Sequence, residues 1–180
     1  IKIKHRLEKR ALKKKKEKDE KRNKIIDEFN KVINNLKAGA EGFKTVGCFD
    51  LEFWEQDMNK ILEFGWKIED FSGKSKTTHL IIRDNIECEN GFYSKNNRFS
   101  RTDSEIVSLE VAKRRFQTEF LGKFDILVGH ALSNDFRVLK LNDMDCEQPY
   151  YDTADISTAL MKKDNKMSLD KLLIHYNVSY

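Results

Sequence analysis

Thr45-Val46-Gly47-Cys48-Phe49-Asp50-Leu51-Glu52 is an apolar run that ends in two acids one residue apart. Alternate side chains of a β-strand share a face, so Asp50 and Glu52 project together from the end of this strand. A lone Asp-x-Glu arises by chance in many acidic chains; it points to a metal site when a further acid is brought to the same place. Farther along, Phe124-Asp125-Ile126-Leu127-Val128-Gly129-His130 reads as a short buried strand that breaks at glycine, and Ser133-Asn134-Asp135-Phe136-Arg137-Val138-Leu139 opens a helix behind it. Asp135 then falls in a first helical turn at a strand's carboxyl end, where open α/β sheets carry their sites. Three carboxylates together repel, which raises at least one pKa unless a divalent cation neutralises them. All-oxygen ligands suit a hard ion, so Mg2+ or Mn2+ is the expected cofactor, with Asp50, Glu52 and Asp135 as metal ligands and catalytic residues.

Around this centre, Lys60 to Ile68 and His79-Leu80-Ile81-Ile82 join Thr45 to Glu52 in a three-strand meander ended by Asp84 and Asn85. Residues 85–103 lack periodicity, contain Asn90-Gly91 and Asn96-Asn97, and are expected as a loop or hairpin at the site's edge. Ile106, Leu109, Phe116 and Phe120 suggest a helix ending near Gly122. The strand through Val128 follows, then the helix carrying Asp135, a short strand from Pro149 to Thr153, and helices from Ala154 and Ser168. A meander followed by alternating helix and strand predicts a mixed sheet with helices packed on it. Periodicity alone admits several folds of that kind.

Asp50-x-Glu52, the turn from Gly129-His130 to Asp135, and Tyr151-Asp152-Thr153 together resemble the first two exonuclease motifs, and the strand after them, of the DEDD exonuclease superfamily. The resemblance implies an α/β, ribonuclease H-like mixed sheet with flanking helices over residues 43–180, preceded by a basic arm and amphipathic helix over residues 1–42. It also implies a 3′–5′ exonuclease that hydrolyses phosphodiester bonds of RNA or DNA by a two-metal mechanism, one ion activating the attacking water and the other stabilising the leaving oxygen. A finer similarity covers residues Thr45 to about Val178 and is carried by Phe49 to Trp54, Ile61 to Trp66, Asn90-Gly91-Phe92-Tyr93 and Ser104-Glu105; they resemble a fungal branch of exonuclease-like proteins associated with messenger RNA export.

Families of this type complete the site with a third motif, His-x-x-x-x-Asp or Tyr-x-x-x-Asp, which supplies a fourth carboxylate and the general base. Neither follows Asp152: His175 is succeeded by Ser179 and Tyr180, and Tyr176 by Tyr180, where the aspartate belongs. Ser168 to Ile174 resembles the helix that precedes this motif. The expectation is a chain cut short before the motif, and also at its start, which is Ile1: a weak or inactive fragment of an active parent, its general base unknown.

Leu51 and Phe53 are candidate nucleic-acid contacts. Phe53 and Trp54 suit either stacking on a terminal base or packing in the core, and many family members have threonine in place of Phe53. Glu63 and Asp152 are candidate acids supporting the ligands. Asp125 reads as a strand-edge charge, and His130 as a hydrogen-bonded turn residue in preference to the general base.

Residues 1–24 hold 13 Lys/Arg against 4 Asp/Glu, so a chain of net charge +4 carries +9 in its arm and −5 in the other 156 residues. Lys13, Lys14, Lys15 and Lys16 are candidate nucleic-acid-binding residues or a nuclear-import run; a solvated, intermittently helical extension is the alternative. Glu8, Glu17, Asp19 and Glu20 argue against a mitochondrial transit peptide. Ile25, Ile26, Phe29, Val32, Ile33 and Leu36 form an apolar stripe over residues 25–36, which must pack on the core or on a protein partner, and Ala38 to Gly42 ends it.

Cys48, Cys88 and Cys146 have neither C-x-x-C nor zinc-finger spacing, so a reducing compartment, nucleus or cytoplasm, is expected. No run approaches the roughly 18 apolar residues of a membrane span, and no membrane partner is expected. Two rival classes of function stay open: a noncatalytic ribonuclease H-like module that binds nucleic acid or protein, and a structural domain whose arm mediates assembly.

Overall fold

The computed structural model describes residues 2–37, 42–91 and 103–178. The helix break at Ala38 to Glu41, the pair Asn96-Asn97, Phe92-Tyr93 and the side chain of Leu36 lie outside the described residues. In chain order the elements are α1 (Lys2–Lys37), β1 (Thr45–Trp54), β2 (Asp57–Asp70), β3 (Ser75–Ile82), β4 (Glu105–Val107), α2 (Leu109–Arg115), β5 (Ile126–Gly129), α3 (Ser133–Leu141), β6 (Tyr150–Asp152), α4 (Thr153–Leu160) and α5 (Leu169–His175). They fall into two compact units, one of Phe43–Asp152 and one of Ile1–Gly42 with Thr153–Tyr180.

The first unit holds a six-stranded sheet in the order β4-β3-β2-β1-β5-β6. β1, β2 and β3 form the expected antiparallel meander; β4 runs parallel to β3, β5 to β1 and β6 to β5. This is the ribonuclease H-like mixed sheet. β1 alternates as its sequence requires, with Gly47, Phe49 and Leu51 buried and Cys48, Asp50 and Glu52 exposed.

β2 and β3 are longer than their apolar cores suggested because polar residues continue the ladder, as in Ile68↔Lys76 and Glu69↔Ser75. The Asp70 carboxylate closes the turn between them, accepting from the backbone N–H groups of Ser72 and Lys74 at 2.9 Å each.

Ile106 was expected in a helix, but it pairs with Ile81 in β4. The helix starts later because Ser108 caps it, its hydroxyl accepting from Val111 N, while Asp84 accepts from Leu109 N at 2.6 Å. α2 then passes into a π-turn, Phe116–Phe120, and the Phe116 ring becomes the hub of the core. It lies 5.5 Å from both Phe49 and Phe64, 5.6 Å from Trp66 and 5.0 Å from Phe120. Val138 and Leu139 of α3 complete the same cluster, which fixes α3 over the face of β1 opposite Asp50 and Glu52. Truncating a buried phenylalanine of this kind costs about 3–5 kcal/mol.

In the second unit α1 packs on α4. Arg22 donates to the backbone carbonyl of Lys163 at 2.8 Å, and Lys18 and Arg22 both pair with Asp164. Val32 is buried and Ile25, Ile26, Phe29 and Ile33 are half-buried, so the stripe expected to await a core or partner is largely covered within the chain itself. Among the described residues, no helix is long and apolar enough to cross a membrane.

Candidate active site

β5 pairs with β1 only at Val46↔Ile126 and Gly47↔Leu127, so β1 runs on past the end of its neighbour. The N–H groups on that side are left without a strand to accept them. Asp135, in the first turn of α3, fills the gap: its Oδ1 accepts from Leu51 N at 3.0 Å. The carboxylate thereby stands at the end of β1 between Asp50 and Glu52 in sequence register, although its helix comes from the opposite face.

The field there is anionic. Burial foremost pushes Asp135 up to about 6; the Leu51 N–H opposes this, and the charges of Asp50 and Glu52 add to it. Asp50 reaches water, yet the packing around it, followed by the charge of Glu63, raises its carboxyl above the usual aspartate value. Glu63 lies directly across from Glu52 in the β1–β2 register and is held by His79 Nε2 at 2.9 Å, whose Nδ1 meets Ser104 Oγ at 2.7 Å. Asp50, Gly65 and His79 occupy one row across three strands. A Cβ on Gly65 would sit 3.9 Å from the His79 ring, so glycine keeps the space between Asp50 and that ring open.

These oxygen donors fit a hard divalent cation: three carboxylates share one field, and two of them have raised affinity for positive charge. Among the described residues no three His, Cys, Asp or Glu side chains form a closed ligand group.

The other expected residues are distributed as follows. Leu51 is 4% exposed and belongs to the core, which leaves its side chain no surface for nucleic acid. Phe53 is half-buried against that core. Trp54 donates from Nε1 to Glu89 O at 3.1 Å, with Lys60 Nζ 4.8 Å from its ring. Asn90 bonds the backbone of Phe53 and Glu55, so the described part of the 85–103 loop does border the end of β1.

His130 is half-buried in the turn after β5. Asp125, expected as a plain edge charge, is instead a clamp, accepting from Lys44 N at 2.7 Å, Thr45 N at 2.9 Å and Thr45 Oγ1 at 3.0 Å. Lys13 to Lys16 are exposed on α1, but consecutive helical residues are 100° apart, so the four ring the helix and do not form one face.

Residues 45–180 match the family described as DNA polymerase III subunit epsilon-like, C-terminal domain, of the DEDDh type. The chain belongs to this family. As a DEDDh-type domain it has an exonuclease-like fold, with Asp50, Glu52 and Asp135 at the end of β1.

Two solved structures are similar to it. A product-bound exonuclease I gives a TM-score of 0.49 at 11% identity over 76% of this chain and 39% of its own. A complex of SSB with exonuclease I and the inhibitor CFAM gives 0.45 at 13% identity over 66% and 30%. The chain thus spans well under half the length of either. None of the curated proteins compared with it matches.

Residues 153–180 contain neither the His-x-x-x-x-Asp nor the Tyr-x-x-x-Asp pattern. Sequence reasoning also missed His79 as a neighbour of the acids. Once the meander register is known, period-two alternation puts it on their face.

Proposed function

We propose that this domain belongs to a 3′–5′ exonuclease that hydrolyses RNA or DNA with Mg2+ or Mn2+ held by Asp50, Glu52 and Asp135. The observation that supports it best is the capture of Asp135 by Leu51 N–H, which fixes a third acid in the field of the two on β1. When bound, the cation supplies Lewis acidity toward the phosphodiester and the attacking water.

The chain's own residues do the rest. Leu51 holds Asp135, whose raised pKa describes an acid that gains from a positive neighbour. Asp50 and Glu52 face solvent, open to a substrate. The resemblance to a fungal branch associated with messenger RNA export motivates testing RNA alongside DNA.

A 5′-labelled single-stranded RNA and DNA, incubated with Mn2+, should shorten stepwise from the 3′ end, and Asp50→Ala should abolish this. Turnover that survives in Asp50→Ala would overturn the assignment. One observation favours a second reading, a noncatalytic module that binds nucleic acid through α1: the acids form no closed ligand group. Under that reading the RNA binds without shortening, and binding weakens steeply with salt.

A further inference from the structure

We propose that Asp152 is the positioning residue for Asp135, a role that rests on the reading of Asp135 as an acid of the site. Asp152 ends β6 directly opposite Gly129, the last residue of β5, and is 8% exposed. Its Oδ1 accepts from Ala131 N at 2.9 Å and its Oδ2 from Leu132 N at 3.2 Å. One buried carboxylate thus grips two successive backbone donors, and charge-assisted bonds of this kind are about twice as strong as neutral ones.

What is gripped needs gripping. Ala131 has φ 59°, a left-handed conformation that a residue with a Cβ rarely adopts. The turn is also closed tightly over Gly129, where a Cβ would lie 2.4 Å from Leu132 Cδ2. Leu132 is the residue from which α3 springs, and it offers no side-chain cap. The carboxylate of the adjacent strand satisfies the amides at the helix entry instead.

Asp135 follows in the first turn and reaches Leu51 N–H from there. A line of contacts therefore links Asp152 to the end of β1: its bonds to Ala131 and Leu132, the short backbone from Leu132 to Asp135, and the bond from Leu51 N–H to Asp135. It passes through backbone whose conformation Asp152 sets, so displacement of the turn displaces the acid.

The test reads that last bond in the metal-free protein. Amide hydrogen exchange at Leu51 should accelerate about tenfold in Asp152→Asn, while Asp50, whose amide belongs to the ladder with β2, stays unchanged. Ala131→Gly in the same background, which removes the left-handed penalty, should restore protection at Leu51. If Asp152→Asn does not fold, the double variant carries the same readout. Failure of both to fold, or exchange at Leu51 that is unaltered while Ala131 and Leu132 are released, would overturn the role. A wild-type protein that takes up no Mn2+, with the Leu51 response still present in Asp152→Asn, would sink the nuclease reading and leave the positioning intact.

Discussion

Asp125 and Asp135 stand at either end of β5, and each caps a backbone amide on the same edge of β1, one at its start and one near its end. Their chemistry diverges from there. Asp125 is exposed and accepts from two amides and a hydroxyl, which together hold its carboxyl below the usual aspartate value. Asp135 is 7% exposed, takes one β1 amide, shares the field of Asp50 and Glu52, and is pushed up to about 6. The same backbone interaction thus serves as an anchor at one end. At the other end it holds an acid where its charge is disfavoured, the sort of imbalance that gathers at functional sites.

The largest expected contrast is in turnover. Asp135→Asn keeps an acceptor for Leu51 N–H but removes the charge, and should lower Mn2+-dependent degradation roughly a thousandfold. Asp125→Asn should leave it within about threefold, since that carboxylate touches only the start of β1. Equal losses in a single-turnover assay would erase the distinction between anchor and site.

Stability should move the other way. A carboxyl whose folded pKa is about 6, against about 3.9 unfolded, binds a proton in the native state that the unfolded chain has lost. Stability therefore falls as pH rises from about 4 to 6, and above that the full cost of the buried charge is in place. Asp135→Asn should stabilise the metal-free protein by about 2 kcal/mol at pH 7 and by little at pH 4, as read from urea midpoints. A destabilised variant at pH 7 would show that its carboxylate is held without strain.

How much of this could be read in the sequence follows from distance along the chain. The alternation of β1 was legible because Val46 to Glu52 encodes its own two faces, and Asp135 was legible because Gly129 ends a strand just before a helical pattern begins. The burial of Leu51 was legible in the same way, since a residue between two acids on one face must point its side chain to the other. Ile106 read as helical because a strand as short as Glu105–Val107 leaves no room for a period of two. The clamp of Asp125 on Thr45 and the grip of Asp152 on Ala131 depend on register between strands far apart in sequence, which no local pattern contains.

Metal should sharpen the contrast by a smaller amount. At ten times its dissociation constant, Mn2+ should stabilise the wild type by about 1.4 kcal/mol. The same increment should survive in Asp125→Asn and vanish in Asp135→Asn, monitored by the thermal midpoint at pH 7. A midpoint unmoved by saturating Mn2+ in the wild type would count against Asp50, Glu52 and Asp135 as ligands, whatever their field.

The smallest effect belongs to Asp125 itself. A carboxyl depressed in the fold contributes stability that is fully present above its unfolded value and is lost as pH falls through its folded one. Because Asp125 is solvent-exposed, screening limits the charge's share to about 0.5 kcal/mol. Asp125→Asn, which keeps an oxygen acceptor, should therefore cost about that much at pH 7 and progressively less as pH falls through the depressed folded value, where both proteins come to present a neutral group to Lys44 and Thr45. The measurement is the difference in urea midpoint between variant and wild type across that range. A cost that persists undiminished in acid would mean that shape, not charge, anchors the start of β1, and Asp125 would then differ from Asp135 in geometry alone.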